Sequence, residues 1–159
     1  MSINDLVKNI DEKYKLRLLF EPTKVDVGSV EDRFAFFYGS VVRNSPPGFY
    51  EHVNTIIREL ATNAPPTAGA RAAMTSMIGS KGMVIVYADR DSHHSVAKSR
   101  AREYGDTMRV LYHLSGVEKL RTVADEVIVD FKSHSIACVK YAQLEVASAS
   151  DTRYAVKNS

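Results

Sequence analysis

The chain has 159 residues, 45% of them apolar and 25% charged, with a formal net charge of +2. These values lie far from the disordered, collagenous and membrane classes, and the charge is too mild for broad electrostatic binding of nucleic acid. A chain of this length buries roughly 70% of its unfolded surface, so it can hold a core without metal or disulfide staples.

The opening MSINDLVKNIDEKY mixes acids with lysines and lacks the pattern of a signal peptide. No apolar run approaches the ~20 residues that span a bilayer. The expected location is the cytoplasm, or host cytoplasm and virion for a viral protein, with no membrane partner. Ser2 and Asp5 form a capping box, and Ile3, Leu6, Val7, Ile10 and Tyr14 recur at helical spacing, so a short helix docked on the core opens the chain. Leu16, Leu18 and Phe20 alternate with Arg17 and Leu19 as a strand that Pro22 stops, and Val25 and Val27 continue extended to Gly28. After a turn at Ser29 to Asp32, RFAFFYGSVV at 33–42 is dense in strand-favouring aromatic and β-branched residues, which predicts an antiparallel meander.

NSPPG at 44–48 breaks the chain before a helix whose face carries Phe49, Val53, Ile56, Ile57 and Leu60. NAPPT at 63–67 is a second break, followed by a predicted helix with Ala70, Ala73, Met74, Met77 and Ile78 on one face and Gly79 as its stop. GMVIVYAD at 82–89 is a continuous apolar run, as expected of a strand buried on both faces. A long helix is expected from Asp91 or Ser92 through Ala97, Ala101, Tyr104, Met108 and Leu111, interrupted by Gly105. Ser115 and Glu118 cap a shorter one near Gly116, with Val117, Leu120 and Ala124 inward. VIVDF at 127–131 reads as a strand. IACVKYAQLEV at 136–146 allows strand or helix, and the strand is preferred as its hairpin partner. The expected fold is α+β: one compact domain over 1–147, with a mixed, largely antiparallel sheet of about five or six strands packed by helices. A flexible polar tail follows over 148–159.

The most chemical stretch is DRDSHH at 89–94, where a buried strand ends and a helix starts. Asp89, Asp91, His93 and His94 could build a divalent-metal site or an acid–base pair if Asp130 or Glu126 came near. Cap and turn duties explain the same residue types without chemistry, so the stretch is read that way, and no cofactor or metal is expected. A basic helix face at Lys98, Arg100, Arg102 and Arg109, flanked by Ser95 and Ser99, could grip phosphates. Glu103 and Asp106 lie within it, which describes an ordinary solvated helix.

DRFAFFYGSV at 32–41 resembles the aromatic ribonucleoprotein signature of RNA-recognition domains, which would imply strand aromatics stacking on bases. The glycine expected after Arg33 is absent, and two short strands precede the segment where strand, helix and strand are required. GSKG at 79–82 has the composition of a phosphate-cradling loop but leaves a helix and enters a strand, so it reads as a helix stop and turn. The one cysteine, Cys138, cannot close an intramolecular disulfide or supply a multi-cysteine zinc site, and it reads as a small buried residue. His134 is expected in a turn, and His52 and His113 lie within helical patterns.

The leading functional expectation is a non-enzymatic interaction or assembly protein, a homo-oligomer such as a homodimer that also meets another protein, using Phe34, Phe36, Phe37 and Tyr38 as its interface. A small accessory factor of a virus or phage particle fits that profile. The alternatives are a nucleic-acid-binding module on the basic helix face and a metal-assisted hydrolase or phosphoryl-transfer enzyme centred on Asp89, Asp91, His93 and Asp130.

Overall fold

A computed structural model describes residues 1–20, 27–63, 72–89, 115–130 and 135–148. The first helix, α1 (Ile3–Asn9), begins as its capping box predicts. The Ser2 hydroxyl accepts the Asp5 N–H at 3.2 Å, and the Asp5 carboxylate accepts the Ser2 N–H at 2.7 Å. Asp11, with φ 55°, turns the chain sharply into β1 (Glu12–Phe20). Asp is among the few non-glycine residues that take this conformation at low cost.

Two helices follow, α2 (Val27–Val41) and α3 (Phe49–Asn63), separated by the short β2 (Val42–Asn44). The β3 (Ala72–Gly79) and β4 (Gly82–Asp89) strands form a hairpin. After α4 (Ser115–Val123) a second hairpin pairs β5 (Glu126–Asp130) with β6 (Ser135–Tyr141), and β7 (Glu145–Val146) pairs with β2. The main sheet has the order β1-β3-β4-β6-β5 and is antiparallel throughout. The fold is therefore α+β with a predominantly antiparallel sheet, as expected.

Helices α2, α3 and α4 cover one face of the sheet, with α3 touching both of the others. Their inner residues, including Phe34, Phe37, Val53, Ile56 and Leu120, meet Tyr14, Leu18, Met74, Ile85 and Ile136 from the strands. On the opposite face α1 places Leu6 and Ile10 against Met77, Val84, Ala137 and Val139. The central strand β4 is thus buried on both faces, which is why its sequence is uninterruptedly apolar. No helix among the described residues is long and apolar enough to cross a membrane.

Two segments differ from the sequence expectation. Residues 33–42 are not a strand but lie almost wholly in α2, which also contains Val27 and Gly28 in place of extended chain, so there is no meander. Val30, Phe34, Phe37 and Val41 follow the helical repeat and are all buried. The intrinsic strand preference of aromatics yields to that single buried face. With no strand there, the likeness to an RNA-binding aromatic platform has no structural basis.

Residues 72–79 are a strand, not a helix. The doublets Ala73–Met74 and Met77–Ile78 fit a helical face, but in β3 Met74 and Ile78 enter the three-helix core while Met77 enters the α1 core. GSKG is accordingly a two-residue hairpin turn with Gly79 opposite Gly82, and Gly79 stops no helix. Gly79 is glycine for another reason: a Cβ would strike the backbone carbonyls of Ile10 and Asp11. The same turns are joined by a bond from the Lys81 N–H to the Ile10 carbonyl at 3.1 Å.

Candidate functional site

The sheet register tests part of the DRDSHH idea. Ser135 of β6 pairs with Ala88 on one side and Asp130 on the other, so Asp130 stands at the sheet end where β4 finishes. Two strand spacings separate it from β4, roughly 10 Å. Glu126 belongs to the opposite end, paired with Val139, and its Oε2 accepts a hydrogen bond from the Tyr141 hydroxyl at 2.7 Å. Asp91, His93 and His94 lie outside the described residues, as do Lys98, Arg100, Arg102 and Arg109, and of Asp89 only the backbone is described. His113 and His134 are likewise outside, and His52 is an exposed residue of α3. Among the described residues no three His, Cys, Asp or Glu side chains gather as a metal site would require.

The described depressions offer little for catalysis. One of about 670 Å³ lies beside the β2–β7 pair and is lined by Asn44, Ser45, Pro46, Pro47, Leu144 and Glu145 among others. Among the described residues Glu145 is its one titratable side chain, and an acid–base mechanism needs a second group. Near Glu126 the carboxylates are engaged: Asp125 accepts from the Tyr141 N–H at 2.7 Å and from Lys140 Nζ at 3.3 Å. Burial and the Glu126 hydrogen bond raise the Tyr141 pKa, which keeps its phenol protonated and unsuited to act as a base.

Cys138 is fully buried in the three-helix core, and desolvation pushes its thiol up to about 12. A thiolate is the reactive form, so this cysteine is packing, as expected. Native protein should leave it unlabelled by maleimide at pH 7.5, with full labelling in denaturant. Rapid labelling of the folded protein would show that the core around β6 opens.

The expected interface of Phe34, Phe36, Phe37 and Tyr38 is split by the helix. Phe34 and Phe37 are 1% and 4% exposed and belong to the core, so they are no interface. Tyr38 is half-buried, edge-on to Tyr50 with ring centres 4.9 Å apart, and its hydroxyl donates to Ser45 Oγ at 2.8 Å. Phe36 alone remains outside, at 62% exposure.

Phe36 occupies the side of α2 opposite the buried stripe. Gly28, Ser29, Asp32, Arg33, Ala35 and Gly39 share that exposed sector. Small residues on this face alternate with the charged Asp32 and Arg33 around the phenylalanine. A Cβ on Gly39 would meet nothing within 4 Å. The helix beneath is firmly held: Phe34 stacks on Tyr50 at 6.0 Å, and Arg58 of α3 bonds Glu31 of α2 at 2.6 Å. Projecting residues 27–43 as a helix would have separated Phe36 from Phe34 and Phe37, whereas the strand projection groups Phe34 with Phe36.

No family model matches this chain, and neither a curated protein nor a solved structure shows significant similarity to it.

Proposed function

We propose that this chain is a non-enzymatic interaction protein that acts as a homo-oligomer through the outer face of α2. The observation that carries this reading is the 62% exposure of Phe36 on the side of α2 turned away from the core. Exposing an aromatic ring costs solvation free energy that a partner surface recovers, and aromatic anchors dominate protein interfaces. A cytoplasmic setting accords with the single buried cysteine.

Sedimentation velocity over a concentration series tests the proposal. The mass should rise from the 17.7 kDa of one chain toward twice that value. A small contact implies weak association, with a midpoint at roughly 10–500 µM. A mass that stays at one chain up to millimolar concentration would overturn the reading.

A further inference from the structure

We infer that the outer edge of β1 takes up an extended acidic peptide as an added strand of the main sheet, held by the backbone of Lys15, Arg17 and Leu19 and the charges of Lys13, Lys15 and Arg17. This goes beyond self-association through α2 and concerns a separate surface.

Among the described residues β1 pairs with β3 alone, which leaves its nine residues as an edge of the sheet. Facing residues of an antiparallel pair alternate between exchanging both N–H···O bonds and exchanging none. The tight turn between Gly79 and Gly82 starts that alternation with a bonded pair. Met74, Ser76 and Ile78 then turn their backbone groups to β1, where they meet Leu18, Leu16 and Tyr14. Lys15, Arg17 and Leu19 therefore direct theirs outward, at a repeat of roughly 6.8 Å. The same alternation, carried across β4, turns Val139 and Tyr141 toward β5. There the Val139 carbonyl accepts from the Asp125 N–H at 2.8 Å, and the Tyr141 N–H donates to the Asp125 carboxylate at 2.7 Å.

Tyr14 and Leu18 are buried in the three-helix core and Leu16 packs against it, so Lys15, Arg17 and Leu19 stand on the opposite face of the sheet. Lys13 is the extra residue of a bulge beside them. Lys13, Arg17 and Leu19 are exposed, Leu19 by 63%, and Lys15 is half-buried. Glu12, the one acid of the strand, is half-buried and interacts with Lys15. Among the described residues no ion pair joins Lys13 or Arg17 to a carboxylate.

Charge decides the occupant. Edge lysines guard a sheet against pairing with its own copies. A second β1 paired about the middle of the strand would set Lys15 opposite Arg17 twice, or Arg17 opposite Arg17, and like charges directly opposite are destabilising. A strand with acids at alternate positions makes each of those contacts attractive, so the same residues reject the self-pair and select the acidic partner. An RNA backbone would meet the charges but has no regular row of N–H donors for the outward carbonyls, which a peptide main chain supplies. The main sheet is antiparallel throughout, and an antiparallel ligand places an apolar residue opposite Leu19 and acids opposite Arg17 and Lys15. Read from its N-terminus, the ligand is apolar-x-acid-x-acid.

The probe is a blocked seven-residue peptide with leucine second, glutamate fourth and sixth and threonine elsewhere, titrated with the full chain and read by fluorescence anisotropy. At low salt it should bind with a Kd of roughly 10–500 µM, as a small contact implies. Raising the salt to about 0.5 M should weaken binding at least about 3-fold. Methylating the amide nitrogens of the leucine and both glutamates removes the donors that face β1 and should cost at least roughly 10-fold. Methylating those of the third and fifth residues, which face away, should leave the affinity within about 3-fold. In the bound protein, amide exchange at Lys15, Arg17 and Leu19 should slow at least about 5-fold. The Lys15→Glu, Arg17→Glu double variant, its fold checked by circular dichroism, should bind at least roughly 10-fold more weakly, and a peptide with lysines for the glutamates should recover the loss. Absence of binding, indifference to which nitrogens are methylated, or unchanged exchange at the three amides would overturn the inference. Tighter binding of a uridine oligonucleotide of equal length would assign the basic stripe to RNA and overturn it as well. A chain that stays monomeric yet binds the peptide defeats the α2 reading alone.

Discussion

Phe34→Ala should remove about 3–5 kcal/mol of stability, whereas Phe36→Ala, two residues along, should change it by no more than about 0.5 kcal/mol. Phe34 is enclosed by the three-helix core and stacks on Tyr50, so truncation loses its transfer energy and leaves a cavity. Phe36 is 62% exposed. For a domain of this size the first change lowers the melting temperature by roughly 6–20 °C. A whole domain is stable by only about 5–15 kcal/mol, so Phe34→Ala takes a large share of the total. Thermal and urea melts of dilute monomer provide the measurement. The pair of variants also tests the helix itself, because a strand would put Phe34 and Phe36 on one face and make the two losses alike.

Substitution of glycine should have opposite effects at two positions. Gly82→Ala should cost about 2–6 kcal/mol, because φ at this residue is 144°, a region closed to side chains, and the new Cβ would press on the Lys140 carbonyl and approach Tyr141 Cα at 2.9 Å. Strand β6 would have to move off β4, the centre of the sheet. Gly39→Ala should instead stabilise the monomer by about 0.5–1 kcal/mol, since glycine is a poor helix residue and nothing obstructs the added methyl. Urea midpoints at constant denaturant slope would report both changes as stability. A neutral Gly82→Ala would show that the hairpin turn is free to rearrange.

The elements legible from sequence are those with one buried face and clear punctuation. NSPPG followed by Phe49, Val53, Ile56 and Leu60 reads as a helix because a break precedes a regular repeat, and α3 starts at Phe49. Ser115 with Glu118 marks α4 in the same way, and the continuous apolar run of 82–89 matches β4. The ambiguous stretch from residue 136 resolves as two strands, β6 beside β5 in the main sheet and β7 beside β2. The failures have separate causes. In α2, the three consecutive strand-favouring residues Phe36, Phe37 and Tyr38 mask a helical repeat whose anchors are Val30, Phe34, Phe37 and Val41. In β3, burial on both faces removes the alternation by which a strand is recognised.

The proposed interaction surface was legible only in part. Sequence composition draws attention to the aromatics of 34–38, but their sorting into core and surface depends on which side of α2 the sheet and α3 occupy. The alignment of Asp130 with the end of β4 is likewise invisible locally, because it runs through Ser135 of a third strand. By itself, the sequence determines the caps, the breaks, the absence of a disulfide framework and the α+β character, since these follow from short-range backbone preference and composition. The period adopted by residues 33–42 and 72–79, the strand order, and the exposure of Phe36 were decided by tertiary structure. Burial is a property of the assembled layers, and in α2 the free energy gained by enclosing one apolar stripe against α3 and the sheet exceeds the smaller local preference for strand.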